Sequence, residues 1–155
     1  MNWITIGAHS GRQIAAALAL GAQGVWTGSV WLPTLESELH EIVKKKLLAA
    51  KSKDTVRSRC LTGKPVRQLK TPWVQAWDEP GAPIPLPAPF QGMLISGALI
   101  GAFEHGIEEV MGTPVGQGIG MVDDIQSVRE VIAGMLEDYG VSVERTIELY
   151  RASNP

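Results

Sequence analysis

Cys60 is the only cysteine among 155 residues. No intramolecular disulfide is therefore possible, and a thiol-rich metal or redox motif of the C-x-x-C kind is excluded. Charge of one sign is equally scarce. Fourteen Lys and Arg stand against sixteen Asp and Glu for a net charge of -2, and the one run of three like charges, Lys44-Lys45-Lys46, sits in a helical pattern that reads as a solvated face. Nucleic-acid binding gains no support from this balance. No apolar run approaches the ~18 residues of a membrane span, and no charged-then-apolar segment at the N-terminus marks export. A cytoplasmic protein without a membrane partner is the expectation. The chain is also short of a whole (β/α)8 barrel, which takes ~250 residues. What is present is globular in character: hydrophobic residues make up 45% and charged residues 19%, enough to bury a core.

Trp3-Ile4-Thr5-Ile6 predicts a strand, and Gly7 to Gly11 a turn ending in helix-cap residues. From Arg12 to Leu20, Ile14, Ala15, Ala17, Leu18 and Ala19 suit a helix packed closely on a sheet, with Gly21 as its left-handed cap. Gly24 to Thr27 predicts a second strand, closed by Gly28-Ser29, and together these make a βαβ unit. From Pro33-Thr34 onward, Leu35, Leu39, Ile42, Val43 and Leu47 recur at helical spacing and predict a long amphipathic helix. Asp54 to Arg67 reads as extended, with Thr55-Val56 a strand and Gly63-Lys64-Pro65 a turn. Six prolines between Thr71 and Pro89 predict a long irregular segment, which Trp73 and Trp77 anchor to a packed surface. A small-residue helix over 91–103, a glycine-rich turn over 112–120, a helix over 127–137 and a last short helix over 143–150 complete the chain. The division expected is 1–52 as β/α units and 53–155 as an extended and helical region of the same structural domain.

Two consecutive strands that each end in glycine and a small polar residue are what a phosphate site at the C-terminal rim of a barrel requires, because backbone N–H groups must approach the phosphate oxygens closely. The first candidate is the loop Gly7 to Gly11, leading into the positive end of the helix over 12–20. The second is Thr27-Gly28-Ser29. Glycines that merely mark turns are the alternative for each. Of the three histidines, His9 is expected to be an exposed loop residue, His40 to lie on or pack beneath the helix after the second strand, and His105 to close a later helix beside Glu104. None of them makes a triad, and no His, Cys, Asp or Glu cluster has metal spacing. Arg12 and Arg67 read as surface ion-pair residues. Gly116-Gln117-Gly118-Ile119-Gly120 lacks both the G-x-G-x-x-G spacing and a preceding strand, so a dinucleotide fingerprint is rejected in favour of a turn.

The run from Ser10-Gly11-Arg12-Gln13 through Gly21-Ala22-Gln23-Gly24 to Val25-Trp26-Thr27-Gly28-Ser29 resembles the stretch of nitronate monooxygenase (2-nitropropane dioxygenase-like) flavoproteins from barrel strand 7 to strand 8. The resemblance continues in family order through Glu36-Ser37 with His40, Asp54-Thr55-Val56, Gly63 to Arg67 and Gly116-Gln117-Gly118. It implies a partial TIM barrel, the last two β/α units (strands 7 and 8) with a C-terminal helical extension. It also implies an FMN-dependent oxidoreductase that oxidises alkyl nitronates with O2, whose flavin phosphate lies against Gly7 and Gly28-Ser29 and whose flavin side is approached by Gln117. The sequence departs from the family at Ile6, where a glycine usually stands, and at Ala8-His9. The histidine that the family uses near its substrate has no counterpart here, so no catalytic residue is assigned and the chain is read as a C-terminal fragment. An inactive, self-associating remnant is the alternative, and a flavin enoyl-acyl-carrier-protein reductase-like protein is the alternative within the class. FMN and a small nitronate-like substrate, if the barrel is completed, are the expected partners, and exposed strand edges predict a homo-oligomer.

Overall fold

The computed structural model describes the backbone of residues 3–5 and residues 8–153 in full. The chain forms two compact units. Residues 1–37 and 121–155 make the first, and residues 38–120 form the second as an insertion within it. The units divide at Ser37/Glu38 and Gly120/Met121.

In the first unit β1 (Trp3–Thr5) pairs in parallel with β2 (Gly24–Trp26), Trp3 opposite Gly24 and Thr5 opposite Trp26. Parallel neighbours need a crossover, and α1 (Gly11–Ala19) supplies it. α1 ends as its glycine predicts. Gly21, at φ +94°, lets its N–H reach Leu18 O (2.9 Å) while Ala22 N–H reaches Ala17 O (3.1 Å), the paired bonds of a Schellman stop. A short 3₁₀ turn, Ser29–Trp31, follows β2. The unit closes with α5 (Val128–Ser153), which packs along α1.

The start of α5 is fixed by three side chains, one hydroxyl and two carboxylates. Ser127 and Glu130 cap it reciprocally: the Ser127 hydroxyl and N–H both donate to Glu130 Oε2 (2.7 and 2.8 Å), and Glu130 N–H donates to Ser127 Oγ (3.2 Å). Glu36 adds a second carboxylate, accepting from Val128 N–H at 2.9 and 3.1 Å. Negative charge here faces the positive end of the helix dipole. The sequence divides this region into two helices around Gly140, but α5 runs unbroken for 26 residues. An interior glycine costs only about 1 kcal/mol relative to alanine, too little by itself to break a helix that packs along α1.

The second unit opens with α2 (Glu41–Ala49), shorter than the helix expected from Pro33 onward. Leu35 is 65% exposed, and His40 caps α2, its Nδ1 accepting from Ile42 N–H (3.2 Å), so the helix begins where the cap is and not where the apolar spacing begins. β3 (Thr55–Ser58) and β4 (Val66–Leu69) form an antiparallel hairpin, Thr55 opposite Leu69. Val115 N–H donates to Arg67 O and Leu69 N–H to Thr113 O, so the far edge of β4 is also covered. Thr71 and Pro72 open a single-turn helix, α3 (Pro72–Ala76), where an irregular segment was expected: the Thr71 hydroxyl accepts from Val74 N–H, and proline suits the first helical position. Trp73 and Trp77 are half-buried and meet edge to face at 5.9 Å. α4 (Phe90–Glu104) follows. Gln91 ties the unit together, donating to Cys60 O (2.7 Å) and accepting from Leu86 N–H (3.0 Å), while Gln68 Nε2 donates to Cys60 Sγ (3.2 Å). These amides are fully or almost fully buried and satisfied.

Two outcomes test this account. A Cβ on Gly11 would overlap Met135 O and Tyr139 N of α5, so Gly11→Ala lowers the unfolding free energy by about 2–3 kcal/mol in urea titration; an unchanged midpoint would mean that the two helices are not in backbone contact. The Ser127 hydroxyl, then its N–H, hold the Glu130 carboxyl below its ordinary 4.5. A depressed carboxyl stabilises above its unfolded-state value and loses that contribution as pH falls through the folded one. The gap in melting temperature between the native chain and Glu130→Ala is therefore largest at neutral pH and closes below pH 4.5.

Candidate functional site

The two loops proposed for phosphate differ in what they offer. Gly7 lies outside the described residues. At the end of its loop, Ser10 occupies the N-cap position of α1 in extended conformation (φ -148°, ψ 156°), but its hydroxyl caps nothing and is buried without a hydrogen-bond partner. The N–H of Arg12 instead donates to Asp138 Oδ2 of α5 (3.0 Å), and the Arg12 guanidinium lies 3.8 Å from the other carboxylate oxygen. The positive end of α1 is thus already met by a carboxylate. His9 is buried, 9% exposed, and not a surface loop residue; its N–H donates to Gln13 Oε1 (2.7 Å). His9 and Ser10 line a cavity of about 300 Å3 together with Asp123, Asp124 and Asp138. Three acids around one cavity repel a phosphate, so this end of α1 does not fit one. Gly11, which the sequence offered as part of a phosphate loop, is glycine because α5 leaves no room for a Cβ.

Gly28 presents the opposite case. It is exposed, and a Cβ built on it would meet no heavy atom of the described residues within 4 Å. Packing among the described residues does not require glycine at the carboxyl end of β2. It heads the turn Ser29–Trp31, in which Trp31 N–H donates to Gly28 O (3.1 Å) and Leu32 N–H to Ser29 O (3.3 Å). Ser29 is half-buried beside it. Open space at a glycine that leads a short helical turn admits a phosphate oxygen close to the backbone, and this half of the site fits the group.

Gln117 belongs to the second unit. It opens the 3₁₀ turn Gln117–Met121, its side chain is exposed, and its carbonyl accepts from Ser52 Oγ (2.7 Å). Gly120 in the same turn would place a Cβ 2.7 Å from Ser52 N, so that glycine is a packing requirement. In the same unit His40 meets Phe103 edge-on at 6.4 Å, and His105 caps the C-terminal end of α4. Among the described residues Arg67 makes no ion pair; its Nη1 donates to Thr55 Oγ1 (3.0 Å) and Thr55 O. Among the described residues no group of His, Cys, Asp or Glu is placed to hold a metal, and no helix is long and apolar enough to cross a membrane. Sequence reasoning missed Asp138 because the contact spans 126 positions; no local pattern signals it.

A parallel β-α-β with a glycine-led helical turn at the carboxyl end of a strand is the architecture of phosphate sites in α/β barrel enzymes. The chain belongs to the nitronate monooxygenase family, whose model matches residues 5–138. It is 48% identical over 144 residues to a Mycobacterium tuberculosis protein assigned as a monooxygenase, covering 86% of this chain and 37% of that one. A Bacillus subtilis protein assigned as a nitronate monooxygenase is 32% identical over 127 residues, 82% of this chain and 36% of its own. Among solved structures, nitroalkane oxidase from Streptomyces ansochromogenes superposes with a TM-score of 0.82 at 26% identity over 93% of this chain and 40% of its own. FabK from Thermotoga maritima does so at 0.78 and 31% identity, over 95% of this chain and 46% of its own. The chain therefore spans less than half the length of each of these relatives.

The carboxylate at the head of α1 is open to test. Asp138→Ala lowers the unfolding free energy by about 1 kcal/mol, Asp138→Asn by less because an acceptor oxygen remains, and equal losses in the two variants would show that the carbonyl oxygen is not what Arg12 N–H requires.

Proposed function

We propose that this chain forms the last two β/α units, strands 7 and 8, of an FMN-dependent oxidoreductase of the nitronate monooxygenase type, and that it holds the flavin phosphate. Bound flavin supplies the redox chemistry, the transfer of electrons from an alkyl nitronate to O2. The chain's own part is binding. Backbone N–H groups of the Gly28-Ser29 turn hold phosphate oxygens, with the Ser29 hydroxyl beside them, and Gly7, outside the described residues, is the second glycine of this reading. Gln117 is assigned to the flavin on the family resemblance alone. No residue of this chain is assigned to proton transfer. A small nitronate is the substrate when the whole barrel is assembled, in a cytoplasmic setting.

The observation that carries this reading is Gly28, a glycine at the carboxyl end of β2 for which packing among the described residues gives no reason. The test is flavin absorbance near the ~450 nm band after the purified chain is mixed with FMN and freed of unbound flavin. The native chain retains colour, and Gly28→Glu, whose side chain meets open space and so leaves the fold intact, loses it by charge repulsion. Equal retention by the two would remove Gly28 from the site, and a colourless native chain would remove phosphate binding from this portion of the fold.

A further inference from the structure

We propose that the outward face of α4 is a homodimer contact, in which two copies of this chain pair their α4 helices antiparallel about a two-fold axis at Gly97. The inference is independent of flavin binding. α4 carries no charged residue before Glu104. One face is spent inside the second unit, where Gln91, Ile95 and Ala102 are buried. The opposite face is bare: Phe90 is 58% exposed, Met93 69%, Leu94 64% and Ile100 60%. An apolar surface of this kind on a helix calls for cover.

Three observations select a second copy as the cover. The first is symmetry. At ~100° per residue, Phe90, Met93, Leu94, Ile100, Gly101 and Glu104 all fall within about 60° of Gly97 on the helix, and they lie in pairs equidistant from it. An antiparallel partner centred there sets Met93 against Gly101 and Leu94 against Ile100, so long side chains meet a hollow or one another. An isologous contact requires this self-complementarity. The second is the hollow itself. A Cβ on Gly97 or on Gly101 would meet nothing within 4 Å, so neither glycine is needed for packing within the chain, while both allow close approach of another helix. The third is charge. α4 has no acid in its first turn and no side-chain cap from Pro89. The same pairing brings exposed Glu104 of each copy to the start of α4 in the other, where Phe90 N–H is held by Pro87 O but no side-chain cap or acid meets the positive helix end. Two such contacts form per dimer.

Sedimentation velocity of the 155-residue chain, together with Gly97→Cys and Ile100→Glu variants, tests the proposal. The native chain sediments at twice its monomer mass. Ile100→Glu, with circular dichroism unchanged, weakens association more than about tenfold because a charge is buried against apolar residues. In Gly97→Cys the new thiol lies on the two-fold axis and meets its own copy, so mild oxidation yields a covalent dimer, whereas a Glu148→Cys control on the exposed part of α5 does not cross-link. Buried Cys60 contributes no background. A monomeric native chain overturns the proposal and leaves the face to another partner, such as the further length that the relatives carry. A dimer indifferent to Ile100→Glu, or one that Gly97→Cys fails to lock, overturns it equally and returns the contact to the strand edges.

Discussion

A Cβ on Gly11 would stand inside the backbone of α5, and that exclusion sets how closely α1 and α5 approach. The rest of the first unit follows from it. Two strands of three residues each cannot sustain a sheet, so β1 and β2 depend on helices to cover them. α1 is fixed at one end by its Schellman stop and at the other by the close fit of Gly11 and the carboxylate of Asp138. Because a side chain of α5 satisfies the head of α1, the positive pole of that helix is used for folding and is not left for an anion.

This reassignment changes where a phosphate has a place. Glycine-rich loops before helices are commonly read as anion cradles, and Gly11 in front of α1 invites that reading. Gly11 is explained by what touches it, whereas a Cβ on Gly28 would meet nothing among the described residues.

Local patterns carried the fold a long way. Gly21, Gly63 and Ser127 mark stops, turns and starts through short-range chemistry, and each acts where its sequence context places it. The failures share one cause, contacts from far along the chain. Leu35 and Leu39 have helical spacing with Ile42, yet residues 34–36 are bound to Gln126 and Val128, more than eighty positions away, and helix cannot form there. Gly140 reads as a break until α1 is known to lie beside it. That Gly28 and Ser29 follow the end of a strand was legible from the local pattern, while the contact of Asp138 with Arg12 and the burial of His9 were not, since each depends on α5 far along the chain.

Those same long-range bonds have an evolutionary and engineering consequence. The chain leaves the first unit after Ser37 and rejoins it at Met121. Just inside these two points, Leu35 N–H donates to Gln126 O (3.0 Å), Thr34 bridges Gln126, and the Glu36 carboxylate grips the head of α5. Departure and return are thus stapled together by bonds of the first unit itself. Since doubling the length of such an excursion costs only about 0.6 kcal/mol in closure entropy, insertions at the surface of the segment 38–120 leave these staples in place at little cost to the closure of the first unit.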